Sequence, residues 1–234
     1  MTGLRDIDVI VFDVLGTLVD EPSGLRAGIR EAVPDAKAPE VEELLATWQR
    51  RVEGEQRRIA DGHRAYVSSE ALDAEAAEEV AARAGISDPE VVSQLATAGQ
   101  RLPTWEDSVA GLERLGRLLP VVGLSNASRA ALLRLDAHAG LRWHLALSSE
   151  SAGAYKPAPE VYRLALDAAG CPPDRVLMVA AHAWDLRGAQ ACGMRTAYVR
   201  RPVGDPPTPA DVFDARFDGL DGLVGALART LGGL

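Results

Sequence analysis

The stretch Val9-Ile10-Val11-Phe12-Asp13-Val14-Leu15-Gly16-Thr17-Leu18 decides how this chain is read. A run of β-branched and aromatic residues, Ile7 to Phe12, has the pattern of a buried strand bounded by loop chemistry. The run ends in one carboxylate, and a Gly-Thr pair follows at once. That order brings Asp13 to the mouth of a loop, where an aspartate is presented as a nucleophile rather than as a buried ion. Two residues further on stands Leu15, not a second acid.

Four more strands are expected beyond this one. They are Val121 to Leu124, Leu145 to Leu147, Val176 to Ala180, and Thr196 to Val199. Helical patterns separate them: Arg129 to Ala139 before Gly140, Glu160 to Ala169 between Pro159 and Gly170, and Leu186 to Cys192 before Gly193. Strands alternating with helices imply an α/β fold, a doubly wound parallel sheet with helices on both faces. The block from Pro22 to Arg101 breaks this alternation. It holds a long charged helix over Val41 to Ala60, an Ala/Glu-rich helix over Ser69 to Ala84, and a helix opened by a capping box at Ser87-Asp88-Pro89-Glu90. The expected organisation is therefore a Rossmann-like core of residues 1–20 and 103–234 with an all-helical cap, residues 21–102, inserted after the first strand. Pro202 to Pro209 is a loop, and a last helix runs from about Leu220 to Leu231. Ligands of such sheets bind beyond the carboxyl ends of the strands. Asp13, Ser125 and the segment Ala180 to Asp185 each follow a strand, so they converge at one rim beneath the cap.

Composition bounds the function classes. The chain has 234 residues, 47% of them apolar, which suits a soluble globular enzyme. No apolar run is long enough to span a bilayer. The N-terminal stretch lacks a secretory pattern, and Cys171 and Cys192 alone make no disulfide framework, so a reducing cytoplasm is expected. A net charge of -9 argues against nucleic acid or an anionic membrane as partner.

Four segments taken together, Phe12 to Leu18, Leu124-Ser125-Asn126, Lys156 to Tyr162, and Ala183-Trp184-Asp185, resemble the haloacid dehalogenase superfamily, most closely the type II L-2-haloacid dehalogenases. The resemblance runs through nearly the whole chain. It implies a doubly wound core, a helical cap, a covalent aspartyl intermediate and a homodimer. It makes Asp13 the nucleophile and Lys156 the cation beside it, because an attacking carboxylate must be ionised and stripped of water. By similarity Asn126 shapes the site for the substrate carboxylate, Tyr162 orients Lys156 and Asp13, and Asp185 helps activate the hydrolytic water. Thr17 and Ser125 are short hydroxyl donors suited to holding a carboxylate, and Ser125 also suits the N-cap of the helix beginning near Ala127. Trp184 is assigned packing only.

Phosphatases of the superfamily keep an acid where Leu15 stands. It protonates the leaving alkoxide, which a departing halide does not need. An apolar Leu15 also suits a dehydrated alkyl halide. Asp13 and Asp185 are a thin oxygen set for magnesium, so the expected chemistry uses no metal and no cofactor. The substrate expected is a small halogenated carboxylic acid, including a fluorinated one. A phosphatase with atypical motifs and a catalytically silent anion binder are the alternatives. Two positions depart from the pattern. Gln49 follows Trp48 where type II enzymes carry the arginine that meets the substrate carboxylate. Arg50 and Arg51 come next, but one residue along a helix turns the side chain by about 100°. Arg57 and Arg58 lie further along. Ala180-Ala181-His182 replaces a Ser-Ser-Asn. His182 can serve as a donor, as a general base, or as a structural histidine at a strand end.

Overall fold

The computed structural model describes Leu4 and residues 6–232. Its centre is the strand that carries Asp13. β1 (Val9–Phe12) pairs in parallel with β2 (Val121–Ser125) on one side and β4 (Val176–Ala180) on the other. The register sets Ile10 against Val121 and Leu177, and Phe12 against Gly123 and Val179. β3 (Leu145–Ser148) continues the sheet beside β2, and β5 (Arg195–Val199) and β6 (Ala215–Phe217) continue it beside β4. All pairs are parallel, in the order β3-β2-β1-β4-β5-β6. The chain winds outward from β1 in one direction and from β4 in the other. The carboxyl ends of β1 and β4 therefore open a crevice between diverging connections.

Every residue of β1, β2 and β4 is buried, as central strands covered on both faces must be. Alternation then sorts β1 between two layers. Ile10 and Phe12 pack with Leu112, Leu132, Leu135 and Leu227, from α5 (Ser108–Gly116), α6 (Arg129–Ala139) and α9 (Leu220–Leu231). Val9 and Val11 pack on the other face with Val161, Tyr162, Leu186 and Ala189, from α7 (Pro159–Ala169) and α8 (Ala183–Ala191). Between β1 and α5 lie α1 (Glu21–Ala32), α2 (Ala38–Ala60), α3 (Ser69–Ala84) and α4 (Pro89–Ala96). They enclose an apolar cluster of their own, with Ile29, Val41, Leu45, Trp48, Val80 and Leu95 inside it. Two strands of chain join this helical unit to the sheet. They touch where Val19 bridges Thr104 and the Asp20 N–H donates to the Pro103 carbonyl at 2.8 Å. Among the described residues no helix is long and apolar enough to cross a membrane.

Several local readings change in the structure. α2 opens at Ala38 rather than Val41, because Pro39 in its first turn needs no hydrogen-bond partner. α4 is capped by Asp88, whose Oδ1 accepts the Glu90 N–H at 2.9 Å, and not by Ser87. α8 begins at Ala183, three residues ahead of Leu186, so Asp185 sits in its first turn. α6 is capped by Ser128, whose Oγ accepts the Ala131 N–H, and Ser125 belongs to β2 instead. β6 was not foreseen, because three residues, Ala215-Arg216-Phe217, carry too short an alternation to register.

Leu135 and Leu133 lie two residues apart on α6, one fully buried and the other 71% exposed. Leu135→Ala is expected to cost about 2–5 kcal/mol in urea unfolding, and Leu133→Ala to stay within about 0.5 kcal/mol of the parent.

Candidate active site

Asp13 is the first residue past β1, and its N–H still donates to the Val179 carbonyl at 3.0 Å. The ladder thus fixes its backbone before the chain turns away. The turn needs Gly16, whose φ is +76°, a left-handed value. The position also admits no side chain, since a Cβ there would lie 2.6 Å from Cε1 of the His182 ring. Thr17 folds back so that its hydroxyl donates to Asp13 Oδ2 at 2.6 Å and accepts the Ala181 N–H at 2.9 Å. One side chain therefore ties the end of β1 to the end of β4.

Lys156 enters from the loop before α7. Its Nζ donates to Asp13 Oδ1 at 2.8 Å and to Asp185 Oδ2 at 2.7 Å. The Lys156 side chain is 1% exposed, and those of Asp13 and Asp185 are 7% and 0% exposed. The Tyr162 hydroxyl donates to Asp185 Oδ1 at 2.6 Å, and His182 Nδ1 lies 3.1 Å from Asp13 Oδ2. Burial alone would raise the Asp13 pKa. The Lys156 charge and the His182 hydrogen bond and charge outweigh it, and hold the carboxyl well below the usual range. Burial lowers the affinity of Lys156 and His182 for a proton, yet the neighbouring carboxylates more than reverse this, and both sit above their ordinary values. Asp185 moves the other way from Asp13. Its complete burial, with the Asp13 charge nearby, raises it despite Lys156. The arrangement thus separates one firmly ionised carboxylate from a second that takes up a proton more readily.

The remaining sequence candidates fall around this cluster. Asn126 Oδ1 accepts the Lys156 backbone N–H at 2.9 Å, so it shapes the lysine loop. Ser125 is fully buried, and its Oγ accepts the Ala127 N–H at 3.1 Å. Leu15 is half-buried at the turn. Tyr162 is wholly buried and addresses Asp185 rather than Lys156 or Asp13. Asp185 serves no capping role, since its carboxylate is spent on Lys156 and Tyr162. Gln49 is half-buried on α2. Arg50 is exposed and donates to Thr47 at 3.2 Å, and Arg51 pairs with Glu75 at 2.9 Å. Both guanidinium groups are engaged within the helical unit.

Glu21 at the start of α1 and Asp73 on α3 were not singled out in the sequence. Glu21 lies within electrostatic reach of His182 and Asp13 on one side and of Glu53 on the other. Desolvation pushes its carboxyl up to about 7 and that of Asp73 up to about 8. Neither residue belongs to a local motif, so only the folded arrangement shows them.

A model of haloacid dehalogenase-like hydrolases matches residues 7–193. The chain belongs to this family. An (S)-2-haloacid dehalogenase of Pseudomonas putida is 30% identical over 209 residues, 85% of this chain and 88% of that one. An (S)-2-haloacid dehalogenase of Pseudomonas sp. strain YL is 32% identical over 199 residues, 82% of each chain. Among solved structures, an L-2-haloacid dehalogenase superposes with a TM-score of 0.87 at 30% identity, over 95% of this chain and 100% of that one. A defluorinating L-2-haloacid dehalogenase gives 0.85 at 28% identity, over 94% and 95%.

The family member's His182 offers a direct check of the charge arrangement. Asp13→Asn removes the charge that raises the imidazole most, leaving the Asp185 and Glu21 charges against burial. Titration followed by NMR of the ring is expected to show His182 above the ordinary histidine value in the parent and lower in Asp13→Asn than in the parent.

Proposed function

We propose that the protein hydrolyses the carbon–halogen bond of a small 2-haloalkanoic acid through a covalent ester on Asp13. The observation that carries this reading is the buried Asp13 carboxylate, kept ionised by Lys156 and His182 with apolar Leu15 nearby in the turn. In the first step an Asp13 oxygen bonds to C2 of the substrate in line with the halogen. The carbon–halogen bond breaks, halide leaves with the electron pair, and C2 inverts. In the second step the oxygen of a water bonds to the Asp13 carbonyl carbon, and Asp185 takes one of its protons. The bond from that carbon to the ester oxygen then breaks, the departing oxygen takes back the proton held by Asp185, and the water's second proton leaves to solvent as Asp13 returns to its carboxylate. The 2-hydroxy acid departs with an oxygen from Asp13, and the carboxylate is rebuilt with one from water. Splitting the displacement into two steps lowers the barrier.

The donor set supports chemistry without a metal. The Lys156 ammonium already lies between Asp13 and Asp185. Among the described residues no three His, Cys, Asp or Glu side chains gather as ligands. Residues 21–102 act as the cap, and Ser125, Asn126 and Gln49 offer neutral groups to the substrate's carboxylate. The free thiols of Cys171 and Cys192 suit a cytoplasmic setting. A homodimer is the assembly we infer for the family member.

A single turnover of racemic 2-chloropropionate in oxygen-18 water, without added metal, is expected to release chloride and place the label in the peptide containing Asp13. Asp13→Asn, monitored for deamidation, is expected to lose at least about 10³-fold in turnover. Label confined to the lactate, or turnover only of an aryl phosphate with magnesium, overturns the reading.

Glu21 gives the pH dependence a sign. Above about 7 its carboxyl is ionised and repels a substrate carboxylate. The kcat/KM for 2-chloropropionate is therefore expected to fall as pH rises through about 7. Uncharged 2-chloropropionamide is expected to show a shallower fall, and Glu21→Gln to reduce the difference between the two profiles.

A further inference from the structure

Three consecutive carbonyls of the loop after Asp13 are held from behind the cleft. The Gly16 carbonyl accepts the Trp105 indole Nε1–H at 3.0 Å. The Thr17 carbonyl accepts the Arg201 Nε–H at 2.8 Å. The Leu18 carbonyl accepts the Ser108 hydroxyl at 2.7 Å and the Trp105 backbone N–H at 3.2 Å. The Arg201 side chain is only 6% exposed and lies over the Trp105 ring, 5.8 Å from its centroid. Its Nη1 sits 2.8 Å from Asp107 Oδ1 in an ion pair, and Asp107 Oδ2 accepts the Leu220 N–H at the start of α9.

A buried guanidinium is a costly way to satisfy one carbonyl, because its charge must be desolvated. Asp107 offsets that charge and is itself anchored at a helix N-terminus. The guanidinium is thereby fixed from three sides, by Asp107, by the Trp105 ring and by the Thr17 carbonyl. Thr17 is the residue whose hydroxyl bonds to Asp13 Oδ2. Its side chain is held at the hydroxyl by the Ala181 N–H, and its peptide plane sets where that side chain starts. Trp105 and Ser108 also lie just beyond Pro103 and Thr104, where the chain returning from the helical unit meets Asp20 and Val19.

We propose that Arg201, fixed by Asp107 and Trp105, is a positioning residue for the nucleophile. It pins the Thr17 peptide so that the Thr17 hydroxyl holds the Asp13 carboxylate in its attacking orientation. It touches neither substrate nor Asp13. Through Trp105 and Ser108 the same clamp joins the return segment of the helical unit to the nucleophile loop. The proposal rests on the ester chemistry proposed above.

The test is single-turnover alkylation of Asp13 by 2-chloropropionate, read by intact-protein mass spectrometry beside steady-state kcat and KM. Absence of an ester or of oxygen-18 label in the parent protein would defeat the ester reading itself, whatever Arg201 does. Given label in the parent, Arg201→Met is expected to slow alkylation by about 10- to 100-fold, with KM within about threefold, since small misplacements of a reacting group cost rate rather than binding. Arg201→Ala is expected to recover about tenfold when millimolar guanidinium is added, and nothing with equal sodium chloride. Trp105→Phe, which keeps the ring and loses one donor, guards against misfolding of the arginine variants and is expected to slow alkylation a few-fold. Folded Arg201→Met that alkylates at the parent rate overturns the proposal. So does a rate loss that merely tracks the unfolded fraction by circular dichroism and ignores guanidinium.

Discussion

The ammonium of Lys156, shared between Asp13 and Asp185, is the interaction on which the rest of this molecule depends. Two buried carboxylates within reach of one another repel, and each ion removed from water costs several kcal/mol after relaxation. A single buried cation between them at 2.7–2.8 Å offsets both costs at once. The three residues come from β1, from the loop before α7 and from the first turn of α8. Only a sheet in which β1 and β4 are neighbours brings those ends together. Removing the lysine would leave Asp13 to His182 and Asp185 to Tyr162, with no cation between two like charges that the sheet brings together.

The same burial makes the site reactive. A carboxylate in water is a poor nucleophile because its hydration shell must be stripped. In this cleft the shell is already replaced by Lys156 Nζ, the Thr17 hydroxyl and His182 Nδ1. These donors hold the ion without moving during reaction, which is the sense in which a site is preorganised. Asp185 has a different environment. Tyr162 and Lys156 surround it, burial raises its pKa, and it is poised to exchange a proton. Two acids only one lysine apart thus sit in different environments, and the proposed mechanism gives the bond to carbon to one and the water to the other.

Much of this is legible in the sequence because it is local. The β-branched run into Asp13, the glycine after it, and the helix stops at Gly140 and Gly170 are each written within a few residues. The partners of the side chains are not. Arg201 meets the Thr17 carbonyl across 184 positions, and Trp105 meets Gly16 across 89. No spacing rule links residues so far apart, and an arginine in a Pro-rich loop has the look of a solvated charge. Tyr162 shows the same limit. Its helix and burial follow from the pattern of α7, but its choice of Asp185 depends on Gly188. A Cβ at Gly188 would lie 2.4 Å from the tyrosine oxygen.

By the resemblance, an arginine is expected to meet the substrate carboxylate where Gln49 stands. A substrate carboxylate needs a cation or several neutral donors, and two arginines of the helical unit are committed elsewhere. Arg51 is paired with Glu75, and Arg64 with Glu55 and Glu75. Gln49 and Glu53, four residues apart, share one face of α2, and Glu53 acts on the Glu21 carboxyl. That face therefore carries a half-buried amide and an exposed acid. On the proposed reading a haloacid seated here meets positive charge in Lys156 and His182 and, in Glu21, a carboxyl that burial pushes up to about 7.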